Sequence, residues 1–266
     1  MKKKYIIKRL LIAIPTFLGI TILVYILSSF ASGSPLDMLL QNPYITPEEI
    51  ERKRIEFGLD QPVIIQYFNW LKMLFQGNLG FSYRANLPVL DMILERLGPT
   101  LLLTFTATIF SVLIAVPLGI MSAYKPYSLW DYASSGLSFI GSATPNFFAG
   151  MILIYLFAVQ LKILPIGGMY DSSGIRSFPI LLKHLIMPAL VLSLQQVGRL
   201  IRQTRGSMLE VLSEDYIRTA RAKGLKERTV LIKHGMRTAL IPVITELGMM
   251  IPFLIGGAVV TEQIFG

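Results

Sequence analysis

The chain has no cysteine and only two histidines, and only 15% of its 266 residues are charged. The missing cysteine excludes a disulfide framework and a thiolate metal site. His184 and His234 alone cannot build a multi-histidine metal site. The sequence also lacks a GxxxxGK[ST] phosphate loop, an H-E-x-x-H helix and a G-x-S-x-G elbow, so no signature of nucleotide hydrolysis, zinc proteolysis or esterase chemistry is present. The chain is read as a non-enzyme, and no cofactor is expected. The shortage of charge sets the class. Soluble domains average about 25% charged residues. Here 53% of residues are hydrophobic and the mean hydropathy is +0.59, which describes a multi-pass protein of the cell membrane. A formal net charge of +9 would suggest nucleic acid for a soluble protein. In a membrane protein, the excess of Lys and Arg on cytoplasmic flanks accounts for it, and no nucleic-acid partner is expected.

The opening MKKKYIIKRLLIAIPTFLGITILVYILSSF has too long an apolar core for a signal peptide, and no A-x-A-like cleavage site follows closely. It reads as an uncleaved first span, Leu10 to Phe30, about 31 Å long at 1.5 Å per residue. Pro15 is placed in its first turns, where a missing N–H matters least. Further spans are expected at Leu101–Tyr124, Ser134–Leu161, Ile180–Ile201 and Ala239–Val260. Pro117, Pro145, Pro188, Pro242 and Pro252 within them read as packing kinks. The fold class is therefore all-α, a polytopic transmembrane helical bundle in one domain, 1–266.

Charge sets the orientation. Lys2, Lys3, Lys4, Lys8 and Arg9 place the N-terminus in the cytoplasm. Four spans later, segment 202–238 carries Arg202, Arg205, Arg218, Arg221, Lys223, Lys226, Arg228, Lys233 and Arg237 and is cytoplasmic again. Segment 31–98 is then extracytoplasmic. Within it, Thr46-Pro47-Glu48-Glu49 reads as a helix N-cap, with the helix stopping at Gly58. In QYFNWLKMLF, Tyr67, Trp70, Leu71 and Leu74 share a face, and the aromatics suggest a helix lying at the membrane surface. Five spans leave the C-terminus outside, just past a span. A sixth helix is expected but absent from the sequence.

The densest charge sits in DYIRTARAKGLKERTVLIKHGMRTALIPVIT, Asp215 to Thr245. Glu210 to Ala222 reads as an amphipathic helix with Val211, Leu212, Tyr216 and Ala220 near one face. Ser207 and Glu210 form its capping box. Gly224 ends it, because a left-handed residue suits glycine. Lys226 to Thr238 is a second helix running into the fifth span. Ala220 and Ala222 are small enough for another backbone to approach. Two readings stay open on composition: a solvated loop held by anionic lipid, or a docking elbow for a protein partner.

The run Tyr216-Ile-Arg-Thr-Ala220-Arg-Ala-Lys-Gly224-Leu225, then His234 and Ala239-Leu-Ile-Pro242-Val-Ile-Thr245, resembles the cytoplasmic EAA loop of ABC importer permeases. The variant is that of the first permease subunit of the dipeptide/oligopeptide/nickel family. KRLLIAIPTF, GLDQPVIIQYFNWLKMLFQGNLGFSY, ATPNFF, LPIGG and HLIMPAL extend the resemblance over nearly the whole chain. Ala220 and Gly224 fall on the family's small-residue positions. Arg218 and Thr219 replace the first two letters of E-A-A, and His234 to Arg237 stand where the general I-x-L-P would be. SGSPLD replaces the usual P-G-D-P, so no aspartate role is carried over there.

The resemblance implies a type I ABC importer permease fold and a set of partners. These are a second permease subunit in a heterodimeric pore, two cytoplasmic ATPase subunits, an extracytoplasmic substrate-binding protein and the lipid bilayer. It implies ATPase coupling through Tyr216, Arg218, Thr219, Ala220, Arg221, Ala222, Lys223, Gly224 and Leu225. The implied cargo is peptide, with nickel or a metal chelate as the alternative. A non-transporting scaffold subunit is the competing class.

Inside the membrane, Glu246 is costly in lipid. It reads either as a pathway residue or as the partner of a buried basic group. Met249, Met250 and Phe253 read as packing or as an adaptable path lining. Lys183 and His184 are expected to snorkel at the outer end of the fourth span.

Overall fold

The computed structural model describes residues 2–30, 36, 45–82, 85, 87–170 and 176–266, with the side chains of residues 2, 251, 253–255 and 257 left aside. SGSPLD, apart from Leu36, lies outside the described residues, as does the side chain of Phe253. Among the described residues the regular elements are helices, apart from one hairpin in which β1 (Phe81–Ser82) pairs antiparallel with β2 (Leu87–Pro88). It packs as two compact units, Met1–Glu95 and Arg96–Gly266.

In the first unit, α1 spans Lys2–Phe30. It begins well before the expected span, so Pro15 lies in its interior rather than in its first turns. No residue of its most apolar stretch is buried within the chain. The half-buried positions Leu18, Thr21 and Tyr25 repeat at helical spacing. Helix α2 (Pro47–Glu56) starts as expected: Thr46 accepts from the Glu49 backbone N–H, and the Glu49 carboxylate accepts from the Thr46 N–H. Gly58, at φ 66°, follows its end.

Helix α3 (Val63–Phe75) presents Tyr67, Trp70, Leu71 and Leu74 as one buried or half-buried face. This face packs on α1. The Tyr67 hydroxyl is 3.0 Å from Thr21 Oγ1, and the Tyr67 and Trp70 rings lie 5.5 and 5.9 Å from Tyr25. The partner was not visible because Thr21 and Tyr25 sit inside an otherwise unbroken apolar run.

The second unit takes in most of α4 (Val89–Tyr124). It continues with α5 (Leu129–Ala143), then α6 (Asn146–Leu153) running on as a π-helix through Gln160. Next come α7 (Phe178–Leu212), α8 (Asp215–Ala222) and α9 (Glu227–Thr229). A π turn, Val230–Gly235, leads into α10 (Met236–Phe265). Among the described residues, α1, α4 and α7 are each long and apolar enough to cross a membrane, and α5 with α6 has the length and composition of a broken fourth span or a re-entrant loop. The expected fifth span falls within α10.

Two expectations change. The third span is not one kinked helix: α5 and α6 meet at 106°. Thr144 is extended at ψ 121° and Pro145 caps α6. A proline ring disfavours helical backbone in the residue before it, so the helix stops instead of kinking. The fourth span does not end at Ile201 but continues to Leu212, with Thr204, Ser207, Met208 and Val211 carrying its buried face onward. Ser207 and Glu210 therefore lie inside α7 and cap nothing.

Helix α7 is the centre of this unit. A Cβ on Gly141 would stand 2.5 Å from the Leu194 carbonyl oxygen, and one on Gly198 would stand 2.6 Å from the Ser138 carbonyl oxygen. Helices α5 and α7 thus touch backbone to backbone. Such small-residue seams suit a bilayer, where apolar burial between helices gains little over lipid and close packing must supply the attraction. Polar contacts reinforce them. Ser138 Oγ donates to the Gly198 carbonyl at 2.6 Å, Ser111 Oγ donates to Gln196 Oε1 at 3.1 Å, and Thr100 Oγ1 donates to Glu262 Oε1 at 2.6 Å. His184 does not snorkel: its Nδ1 lies 3.1 and 2.9 Å from the carbonyls of Gly167 and Gly168, while Lys183 is exposed.

Gly198→Val should lower the melting temperature of the detergent-solubilised protein, with an overpacking cost of about 1–3 kcal/mol. Gly136→Ala, where a Cβ meets nothing within 4 Å, should leave it unchanged or raise it.

Candidate functional site

The charged block forms an elbow. Helix α7 ends at Leu212, where the Ser213 hydroxyl donates to the Glu210 carbonyl at 2.7 Å. Glu214 is extended at ψ 148° and caps α8. The helix expected over Glu210–Ala222 is thus broken at Ser213-Glu214-Asp215. The signal was present: serine and aspartate compete for backbone hydrogen bonds and favour helix ends.

Helix α8 is short and amphipathic. Ile217 is fully buried and Ala220 is 6% exposed. They pack with Ala123 of α4, Met208 and Val211 of α7, Val230 of the π turn and Ala239 of α10. This corrects two expectations. Ala220 faces the chain's own core and is not open to a partner backbone. Tyr216 lies on the exposed side, and Ile217 takes the inner face. Tyr216, Arg218, Thr219, Arg221, Ala222, Lys223, Gly224 and Leu225 are exposed together.

The turn is built as expected. Gly224 has φ 75°, and a Cβ there would meet nothing within 4 Å. Its N–H donates to the Arg221 carbonyl at 2.9 Å. Across it, Arg221 Nη2 and Nε donate to Glu227 at 2.8 and 3.3 Å. Hydrogen bonding to that carboxylate raises the Arg221 pKa above its ordinary value.

A second network braces the same end of the bundle and was not anticipated. Asp131, in the first turn of α5, is buried. It accepts two hydrogen bonds from Arg205 of α7, Nε at 2.8 Å and Nη2 at 2.9 Å, and one from Ser122 of α4. It also accepts from the Tyr127 N–H at 2.9 Å, which holds Tyr127 at φ 62° in the tight turn between α4 and α5. The sequence hint was Ser128-Leu-Trp-Asp131, a cap serine with an acid three residues on: the Asp131 N–H points at Ser128 Oγ, 3.4 Å away. Nothing local names Arg205 as its partner.

The membrane candidates separate. Met250 is buried in the main core. Met249 is exposed. Glu246 is partnered, with Oε1 3.7 Å from Arg199 Nη1 of α7. Among the described residues, no group of three His, Cys, Asp or Glu could hold a metal ion.

Apolar helices long enough to span a bilayer define a multi-pass membrane protein, and its second unit carries an exposed helix–glycine–helix elbow. The chain belongs to the family of binding-protein-dependent transport system inner membrane components: that family's model matches residues 115–266, and the model of its N-terminal region matches residues 2–104. It is 46% identical over 262 residues to the oligopeptide transport system permease protein AppB of Bacillus subtilis, covering 98% of this chain and 83% of that protein. It is 41% identical over 264 residues to a putative peptide permease protein of Brucella suis, with coverages of 98% and 83%. Against the dipeptide transport system permease protein DppB of Escherichia coli it is 36% identical over 283 residues, with coverages of 98% and 84%. Members of this family are the membrane components of ABC importers, in which separate subunits hydrolyse ATP.

Asp131→Asn should cost about 3–5 kcal/mol, because it leaves the Arg205 guanidinium without its counter-charge. The check is a thermal melt of the purified protein. Asp131→Leu combined with Arg205→Leu should recover part of the loss.

Proposed function

We propose that this chain is the permease subunit of an ATP-driven peptide importer, coupled to its ATPase through the elbow at Gly224. The observation that carries this reading is the two-sided build of α8. Its inner face, Ile217 and Ala220, sits in one apolar cluster with the ends of α4, α7 and α10. Its outer face offers Tyr216, Arg218, Thr219, Ala222, Lys223 and Leu225 to a partner. A push on α8 is therefore delivered to three long helices at once. Arg221–Glu227 and Gly224 keep the turn stiff enough to transmit it.

In this reading, the N-terminus, the turn between α4 and α5 and the elbow lie in the cytoplasm, in keeping with the Lys and Arg collected there. A second permease subunit completes the pore, two ATPase subunits engage the elbows, and an external binding protein delivers cargo. Glu246 and Met249 line the path. The oligopeptide permease AppB and the dipeptide permease DppB among its relatives support peptide rather than nickel as cargo.

Gly224→Leu tests the coupling. The site has room for the side chain, but φ 75° costs a branched residue about 1–2 kcal/mol. We expect a folded subunit that no longer co-purifies with its ATPase, or whose ATPase is no longer stimulated by loaded binding protein. Unchanged coupled uptake would overturn the coupling role. For the cargo, calorimetry on the partner binding protein should give tighter binding to peptides than to nickel chelates. The reverse order would move the reading to metal import.

A further inference from the structure

Arg199, Arg202 and Arg205 follow one another by about a turn along α7, and they are held very differently. Arg205 makes two short bonds to buried Asp131. Arg202 Nη1 donates to Ser138 Oγ at 2.5 Å and Ser142 Oγ at 2.9 Å, both on α5. Among the described residues, Arg199 has one polar contact, 3.7 Å to Glu246, which is longer than a hydrogen bond. Its side chain is 57% exposed, against 21% for Glu246.

The pair sits at the level of the packed bundle and not at the elbow. Its sequence neighbours Leu200, Ile201, Val243 and Met250 all belong to the main apolar core. A guanidinium at that level does not face lipid at equilibrium; charged groups there face protein or a water-filled cavity. Gln195, one turn before Arg199 on α7, is exposed, as are Gly248 and Met249 beside Glu246 on α10. The pair thus lies at the bundle surface, with the Gln195 amide on one side and an adaptable methionine on the other.

We propose that Arg199 and Glu246 form a charge-exchange gate on the translocation path, which the charged ends of a peptide open by replacing each residue's partner. This rests on the peptide-permease reading above. A free peptide is a zwitterion. Its carboxylate takes the place of Glu246 on Arg199, and its ammonium takes the place of Arg199 on Glu246. Both protein charges stay paired throughout, and the long contact between them makes the exchange easy. A bidentate guanidinium suits the carboxylate end. A peptide capped as its C-terminal amide leaves Arg199 without an anion once Glu246 is displaced, so the gate resists it. The tightly held Arg202 and Arg205 offer no such exchange.

The test uses the complete importer in proteoliposomes, with its binding protein saturated in turn by a free-acid peptide and by the same peptide as its C-terminal amide, so that the binding protein's own preference cancels. Wild type should move the acid about tenfold faster than the amide, the scale of one lost charge-assisted contact. Arg199→Gln removes the charge that the amide leaves unpaired, so it should raise the amide's rate about tenfold, to that of the acid, and abolish the preference. Arg199→Lys, which keeps the charge, should retain the preference for the acid and serves as the folding control. If Arg199→Gln leaves the ratio of acid to amide uptake unchanged, the gate is overturned and the pair is only a helix contact. If wild type moves neither peptide, the peptide reading itself falls, an outcome separate from failure of the gate.

Discussion

The backbone seam between α5 and α7 is the constraint on which the larger unit depends. Gly141 against the Leu194 carbonyl and Gly198 against the Ser138 carbonyl leave no room for a side chain at either place. In a bilayer, two apolar helices gain little by hiding surface from each other, because the lipid is as apolar as they are. They associate through dense packing and through hydrogen bonds that have no competitor in hydrocarbon. Gly119 extends the same logic to α4, where a Cβ would stand 2.6 Å from that of Thr204. Once these seams bring the helices close, the arginines of α7 fall within reach of their partners. The Asp131–Arg205 bonds are thus a consequence of the packing as well as a support for it.

The elbow end and the level above it have opposite characters. At the elbow end, Asp131 ties α4, α5 and α7 together through Ser122, Tyr127 and Arg205. The cluster around Ile217 ties in α8 and α10. Force applied to α8 meets a braced body. Above it, Arg199 and Glu246 are close but not bonded and are open to their surroundings. The bundle is stiff at the elbow end and loosely paired at the level of Arg199 and Glu246. The first unit works by simpler means: an apolar helix meets an aromatic face, with one hydroxyl pair between Thr21 and Tyr67 at its centre.

Several elements were legible in the sequence because their causes are local. Apolar runs place helices, Thr46 with Glu49 starts one, and Gly224 must take a turn that other residues resist. The breaks at Pro145 and at Ser213-Glu214 were also local, but their direction was not. A proline in an apolar run is compatible with a kink or a corner, and the neighbours against which α6 packs decide between them. Ala220 was legible as small but not as inward-facing. Only the placement of α8 on Met208 and Val230 shows which side of it is free.

The sequence by itself determined that this is a membrane protein with a glycine-hinged charged elbow, because transfer to lipid and backbone sterics act residue by residue. It also carried the resemblance that the family models bear out. The tertiary structure alone decided which charges are bound and which are available. Asp131 and Arg205 are far apart in the chain, as are Arg199 and Glu246, and no local rule says that one pair closes at 2.8 Å while the other stops at 3.7 Å. That difference is set by how closely α7 approaches each neighbouring helix. It separates a tightly bonded pair from a loose one.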